Sequence, residues 1–111
     1  MVSYIPSQGD IVWLTLHPQK GHEQSGRRPA VVLSPSEYNS KVGLAIFCPV
    51  TSNEKGYPFE VKLPPTCNVQ GVILVDQVKS LDWHARNAEY ICTASSILLD
   101  EISNKIKLLL P

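Results

Sequence analysis

Residues 20–35 read KGHEQSGRRPAVVLSP, and this stretch joins a polar segment to an apolar run. Between residues 21 and 29 the polar segment holds a histidine, a carboxylate, two adjacent arginines and two glycines. Glycine adopts backbone angles that other residues avoid, and proline fits at the first residue of a strand because it cannot donate a ladder hydrogen bond. The pattern therefore predicts a mobile polar loop that leads into a buried strand at residues 30–33, with Pro29 at its start.

The loop concentrates side chains that can accept protons or bind anions. Reactive groups are frequently carried on loops that a rigid strand positions. His22 and Glu23 are therefore candidate proton acceptors, and the guanidinium of Arg28 is a candidate clamp for a phosphate. The alternative is a solvated turn, because a hairpin loop with these charges often has no chemical role.

Apolar runs on both sides of the loop predict a chain built mainly of short strands. We expect strands at about residues 11–16, 30–33, 44–50, 59–63, 71–75, 78–83 and 90–93. The first run is nearly continuous, which indicates a strand buried on both sides, and Pro49 indicates an edge strand or a bulge. Such a set favours a small, strongly curved antiparallel sheet or barrel.

Two helices are expected between and after these strands. Ser34 and Glu37 have the spacing of a capping box, which predicts a short helix that ends before Gly43. A longer amphipathic helix is expected from about Ser95, with Ser95 or Thr93 as its cap. Its apolar face is predicted to contain Leu98, Leu99, Ile102, Ile106, Leu109 and Leu110.

Length and composition limit the class of protein. The chain has 111 residues, of which 43% are hydrophobic, and this suits one folded domain that spans residues 1–111. Lys plus Arg and Asp plus Glu number ten each, so the zero net charge excludes a broad electrostatic coater of DNA. The first residues lack a signal-peptide pattern, and no apolar run is long enough for a membrane helix. We therefore expect a cytoplasmic protein without membrane contact.

The three cysteines, Cys48, Cys67 and Cys92, are widely spaced and form no CxxC pair. We therefore expect neither a zinc site nor a disulfide framework, and each cysteine is interpreted as a small buried thiol in a reducing compartment. The sequence shows no other cluster with metal-ligand spacing, so it predicts no metal and no cofactor.

Three blocks and the C-terminal amphipathic segment resemble, in the same order, the MazF/PemK/Kid family of toxins. The blocks are GDIVWLTLHPQKGHEQSGRRPAVVLSP at residues 9–35, PVTSNEKGYPFEV at residues 49–61 and GVILVDQVKSLDWHAR at residues 71–86. The resemblance covers nearly the whole chain. It implies an SH3-like barrel with a C-terminal helix, shared with Kid and CcdB, and a two-fold homodimer.

The same resemblance implies the toxin of a toxin–antitoxin pair. Such a protein cleaves single-stranded RNA, here expected to be messenger RNA, and so inhibits translation and growth. The implied partner is a cognate antitoxin with an acidic, partly disordered tail. Operator DNA would be contacted only through the antitoxin complex.

Metal-independent cleavage of RNA requires few groups. A base removes the proton of the ribose 2′-hydroxyl, whose oxygen attacks the phosphorus, and cationic or hydrogen-bonding groups stabilise the added charge. The bond from phosphorus to the 5′-oxygen breaks, and an acid protonates this leaving oxygen. The products are a 2′,3′-cyclic phosphate and a 5′-hydroxyl. Arg28 and Thr51 match the catalytic arginine and threonine of the family. Glu23 and His22 match bases in different members, and the sequence leaves both open.

The remaining residues of the implied site would bind substrate. Asp76 matches an aspartate in the site of Kid, but Leu74 stands where Kid has an arginine, so a purely Kid-type arrangement is in doubt. Asp76 has a second interpretation as a structural residue that holds a loop. The predicted substrate-binding residues are Gln24, Arg27, Ser52, Lys55, Asp76, Gln77 and Lys79.

Two other functions are compatible with the fold. A CcdB-like toxin binds DNA gyrase without enzymatic activity, but such toxins lack the loop arginine that this chain has. A degenerate member would only bind antitoxin, and intact Arg28, Thr51 and Glu23 argue against that. Trp83 is interpreted either as a platform for a base or as a core residue.

Overall fold

Seven strands form one antiparallel sheet in the computed structural model, which describes residues 4–16, 26–65 and 68–111. The strands are β1 (Asp10–Leu16), β2 (Gly26–Val32), β3 (Leu44–Thr51), β4 (Glu60–Lys62), β5 (Val72–Leu74), β6 (Lys79–Asp82) and β7 (Glu89–Thr93). The helices are α1 (Ser36–Val42) and α2 (Ser96–Leu109), and Val75–Gln77 form a 3₁₀ turn. The prediction of a mainly β fold with a short helix after the second strand and a C-terminal helix is confirmed.

The strand order is β4-β5-β3-β2-β1-β7, and β6 also pairs with β3. Among the strands that the structure describes, none joins β4 to β7. The sheet is therefore barrel-like without being closed, which agrees with the expected strongly curved antiparallel sheet of the SH3-like type. The feature that most resembles a barrel is the pairing of β3, which pairs with β6 along its first half and with β5 at its end.

Strand β1, which is second from the β7 edge, carries side chains for two hydrophobic clusters. Ile11 packs into the cluster that includes α2, whereas Val12 and Leu14 pack into the cluster on the opposite face. This explains the nearly continuous apolar run and confirms that β1 is buried on both sides. Trp13 is the exception, since 38% of it is exposed.

Two prolines, Pro29 and Pro49, lie inside strands at positions where the neighbouring ladder needs no hydrogen bond from the proline nitrogen. Pro29 is opposite Trp13 within β2, so the prediction that it begins the strand is wrong. The N–H of Leu33 donates to β3, and alternation points the nitrogen of Pro29 to the same side. The β2–β3 ladder has already ended there, at Ala30 and Pro49, so Pro29 breaks no hydrogen bond.

Pro49 lies where β3 exchanges one partner for another. β3 pairs with β6 up to Phe47 and with β5 from Val50 onward. On this side of β3 no ladder in the described structure needs a donor at Pro49. The strand is internal, so the prediction of an edge at Pro49 is wrong.

The first turn of α1 is not a capping box. The N-cap is Pro35, without a side-chain hydrogen bond, and Ser34 Oγ instead donates to Asn39 Oδ1 at 2.6 Å. Ser34 Oγ also accepts from Ile46 N at 2.9 Å, so this hydroxyl joins the helix to β3. The predicted end of the helix is confirmed, because Gly43 is the C-cap with a φ of +81°.

Asn39 is fully buried and connects three parts of the fold. Its Nδ2 donates to the carbonyl oxygens of Pro6 at 2.8 Å and Ser34 at 3.1 Å. Its own carbonyl oxygen accepts from Trp83 Nε1 at 2.9 Å. Trp83 is only 8% exposed, so it is a core residue and not a platform for a base.

Helix α2 is capped as one of the two alternatives predicted. Ser95 Oγ accepts from Leu98 N at 3.1 Å. Leu98 and Ile102 are buried, but Leu109 and Leu110 are 39% and 75% exposed, so the predicted apolar face ends before the last turn. No helix formed by the described residues is long and apolar enough to cross a bilayer.

The cysteines differ from one another. Cys48 on β3 is a buried free thiol, as predicted. Burial, followed by the charge of Asp76, raises the pKa of this thiol to about 12. Cys92 on β7 is disulfide-bonded, so the interpretation as a free thiol is wrong there. Cys67 lies outside the described residues.

Candidate functional site

Two cavities open beside the end of β3. The first, of about 280 Å³, is the aspartate cavity, and it is lined by Thr51, Asn53, Lys55, Tyr57, Glu60, Leu74, Asp76 and Gln77. The second, of about 260 Å³, is the tryptophan groove, and it is lined by Trp13, Arg27, Arg28, Pro29, Val50, Ser52, Asn68, Val69 and Gln70. Loop residues after β3 and the 3₁₀ turn after β5 form most of the aspartate cavity.

The sheet register relates Arg28 to Thr51. The last β2–β3 pair is Ala30 with Pro49, and the same register, continued for two positions beyond the end of the ladder, relates Arg28 to Thr51. Because side chains alternate along a strand, Arg28 and Thr51 belong to the same face of the sheet. The structure therefore brings the two predicted catalytic residues of the strands to one side, although Arg28 also borders the tryptophan groove.

Arg27 faces the other way and is held by the fold. Its Nη1 donates to Thr15 Oγ1 at 2.9 Å, and its Nη2 donates to the carbonyl oxygen of Asn87 at 2.9 Å. Nη2 also forms an ion pair with Glu89 at 3.1 Å. These contacts give Arg27 a structural role, in which its side chain connects β2 to β1 and β7. Its predicted contact with substrate stays a prediction.

Thr51 is the last residue of β3 and is 6% exposed. Its Oγ1 accepts from Asn53 N at 3.1 Å. An oxygen that already accepts a backbone hydrogen bond can still donate its own hydrogen. Thr51 can therefore donate to a phosphoryl oxygen that enters the aspartate cavity.

Asp76 holds a loop residue across the cavity. Tyr57 Oη donates to Asp76 Oδ1 at 2.7 Å. Partial burial, then this hydrogen bond and the Asp76 charge, raise the pKa of Tyr57 to about 12. The structural interpretation of Asp76 is thus correct, and its position in the cavity also keeps it beside any ligand bound there.

The other predicted substrate-binding residues are distributed around the two cavities. Lys55 and Gln77 line the aspartate cavity, and Ser52 lines the tryptophan groove. Lys79 lies on β6, opposite Phe47 of β3. The predictions for His22, Glu23 and Gln24 fall outside the described residues.

Sequence reasoning missed several lining residues, among them Tyr57 and Trp13. Tyr57 follows a run of polar residues after β3, and an aromatic residue in such a run is itself a signal. Trp13 was treated as buried, because a continuous apolar run hides the one position that faces a groove. Among the described residues, no group of three or more His, Cys, Asp or Glu side chains could hold a metal ion.

Known proteins are similar to this chain in sequence and in fold. The family model for "PemK-like, MazF-like toxin of type II toxin-antitoxin system" matches residues 7–110. The endoribonuclease toxin MazF of Escherichia coli (strain K12) is 49% identical over 111 residues, covering 99% of both chains. The crystal structure of MazF from Deinococcus radiodurans has a TM-score of 0.93 and 53% identity, covering 97% of this chain and 98% of that one. A MazE–MazF crystal structure from the same organism has a TM-score of 0.88 and 53% identity, covering 97% of both chains.

Proposed function

The chain belongs to the PemK-like, MazF-like family of toxins of type II toxin–antitoxin systems, and we propose that it is an endoribonuclease that cleaves single-stranded RNA. The match to an endoribonuclease toxin over nearly the whole of both chains supports this activity. The observation that supports the proposal in the structure is that Arg28 and Thr51 belong to the same face of the sheet on neighbouring strands, with Thr51 lining the aspartate cavity and Arg28 lining the tryptophan groove.

In the proposed reaction, Arg28 stabilises the charge that develops on the phosphoryl oxygens. A guanidinium can contact two of these oxygens at once and keeps its charge at any relevant pH. Half-burial on β2 limits the screening of this charge by water. Thr51 donates a second hydrogen bond from the end of β3.

The base of the reaction is proposed to be Glu23 or His22. Histidine has an ordinary pKa near 6.5 and can exchange protons near neutral pH. A glutamate requires a raised pKa or a site with little water for the same task. Leu74, where Kid has an arginine, is buried and lines the aspartate cavity, so Arg28 is the cation assigned to the phosphate.

The experiment is RNA cleavage by purified protein in excess EDTA. We expect products with 2′,3′-cyclic phosphate and 5′-hydroxyl ends, detected by mass spectrometry. Arg28→Ala should lower the cleavage rate by about 10²–10³, the usual cost of losing a preorganised donor. Arg28→Lys should recover little, because an ammonium cannot make the bidentate contact.

Lys107→Ala is a control, since it removes one positive charge from the last turn of α2. It should leave the rate unchanged. Intact RNA in EDTA, or an Arg28→Ala variant as fast as wild type, would contradict the proposal. The pH–rate profiles of Glu23→Gln and His22→Gln distinguish the two candidate bases. Replacement of the true base should abolish the acidic limb of the profile.

The gyrase-binding alternative is less well supported. The relatives that match this chain are named as endoribonucleases, and Arg28 is retained. The alternative would require inhibition of gyrase supercoiling by protein that leaves RNA intact.

The proposed partners follow from the same membership. We propose that the protein forms a two-fold homodimer and acts in the cytoplasm, where an antitoxin with an acidic tail inhibits it. A monomer mass in light scattering at micromolar concentration would contradict the dimer.

An antitoxin peptide and an uncleavable RNA analogue should compete for the protein. Simultaneous binding of the two, without mutual weakening, would contradict a shared groove. Operator DNA is proposed to bind only to the toxin–antitoxin complex.

A further inference from the structure

The aspartate cavity contains two carboxylates in different surroundings. The oxygens of Glu60 accept backbone hydrogen bonds, Oε2 from Lys55 N at 2.9 Å and Oε1 from Gly56 N at 2.8 Å. Asp76 accepts one hydrogen bond, from Tyr57 Oη to Oδ1. Among the hydrogen bonds between described residues none reaches Asp76 Oδ2, so this oxygen is the candidate acceptor for a ligand in the cavity.

Donors line the same cavity. The Thr51 hydroxyl keeps its hydrogen for a ligand because its oxygen accepts from Asn53 N. The Lys55 side chain is a further donor among the lining residues. A ligand that satisfies the cavity therefore presents a donor to Asp76 beside an acceptor for Thr51 or Lys55.

Three of the four RNA bases meet this requirement through an exocyclic amino group. Adenine and cytosine carry the amino group next to a ring-nitrogen acceptor, and guanine carries it together with a carbonyl acceptor. Uracil has no amino group, and carbonyl oxygens flank its N3–H. A carboxylate placed at that edge faces oxygen lone pairs, and this like-charge contact is unfavourable.

We propose that Asp76 determines substrate specificity by accepting a hydrogen bond from the amino group of a base next to the cleaved bond, and that Tyr57 positions Asp76 for this contact. The inference rests on the proposed ribonuclease function. Thr51 lines the aspartate cavity and belongs to the same face of the sheet as Arg28, so the proposal puts the phosphate between these two side chains and the base in the cavity. Tyr57 remains a neutral donor at physiological pH, so it fixes Oδ1 and leaves Oδ2 to the base.

The test compares cleavage of matched RNA oligonucleotides that differ in one base near the cleaved bond. For wild type we expect one position at which an amino-bearing base is preferred over uracil by about 10- to 100-fold in kcat/KM, as for a hydrogen bond to a charged group. Where that base is adenine, purine riboside, which lacks only the amino group, should react as poorly as uracil does.

The Asp76→Asn variant makes the test specific. Tyr57 continues to donate to the side-chain oxygen, so the amide nitrogen takes the place of Oδ2 and presents a donor. The preference at this position should then move toward uracil, whose carbonyl oxygens accept. In the double variant Tyr57→Phe/Asp76→Asn the shift should weaken, because no hydrogen bond orients the amide.

Glu101→Gln on the exposed side of α2 is the matched control and should retain the wild-type preference. If Asp76→Asn lowers kcat equally for every base, Asp76 acts in the chemical step and the inference is wrong. The inference also fails if wild type cleaves all four oligonucleotides alike, or if Asp76→Asn changes no preference. Absence of RNA cleavage by wild type would instead contradict the proposed function, so the two failures are distinguishable.

Discussion

A Cβ atom placed on Gly71 would lie 2.2 Å from the carbonyl oxygen of Thr51 and 2.9 Å from its carbonyl carbon. Gly71 also has a φ of +132°, which side chains with a Cβ rarely adopt. The end of β3 therefore keeps its position only with glycine at residue 71. This contact places a backbone constraint directly against a proposed catalytic residue.

We predict that Gly71→Ala lowers both the stability and the activity of the protein. The methyl group must displace the Thr51 backbone, and overpacking of this kind costs about 1–3 kcal/mol beyond the backbone strain. Gly43→Ala is the matched control, because Gly43 also has a positive φ but open space around it. Urea unfolding should show a larger loss for Gly71→Ala, and equal losses would contradict the contact.

We predict that the hydroxyl of Tyr57 ionises at a higher pH than that of an ordinary tyrosine. Partial burial and the Asp76 hydrogen bond raise its pKa from the ordinary 10.0 to about 12. Its neutral hydroxyl thus stabilises the fold fully below pH 10, and this contribution is lost as pH rises through about 12. Tyrosinate absorbance of wild type minus Tyr57→Phe measures this group alone. A difference transition centred at pH 10 would show that the hydrogen bond contributes nothing.

We predict that Asn39→Ala is strongly destabilising. The change leaves the buried Ser34 hydroxyl and the Pro6 carbonyl without their partner, and an unsatisfied buried group costs about 1–3 kcal/mol. The free energy of unfolding should therefore fall by at least about 2 kcal/mol. Asn104→Ala, at an exposed position of α2, should change it by less than about 0.5 kcal/mol. Similar values for the two variants would rule out the network as a source of stability.

We predict that the thiol of Cys48 does not react in the folded protein. Its pKa is raised to about 12, so almost no thiolate exists at pH 8, and the side chain is fully buried. Peptide mass spectrometry after treatment with iodoacetamide should find Cys48 unmodified until urea is added. Modification under native conditions would indicate that β3 opens readily.

The sequence predicted the order and type of the elements because these depend on local patterns. The alternation at residues 59–63 and the capping serine at Ser95 are examples of such patterns. The prolines were misjudged because the cost of Pro29 or Pro49 depends on which strands pair beside it. Pairing of this kind is a tertiary property that a local pattern does not contain.

The same limit applies to the site. Trp13 and Trp83 both lie near apolar runs, but 38% of the first and 8% of the second are exposed. The pairing of Tyr57 with Asp76 joins residues 19 positions apart, so no spacing rule indicates it. Thr51 and Asp76 were predicted as site residues from the family resemblance and not from a residue pattern.

β3 pairs with β2, β5 and β6, more partners than any other strand in the described parts of the chain. Detachment of a single neighbour therefore leaves its remaining ladders intact, and the amide protons of β3 should exchange with deuterium only when the whole molecule unfolds. Strand β7 pairs with β1 alone and can detach locally, so its amides should exchange sooner. The sheet thus has a kinetic hierarchy, in which Thr51 belongs to the strand that opens last and the edge near Glu89 opens sooner.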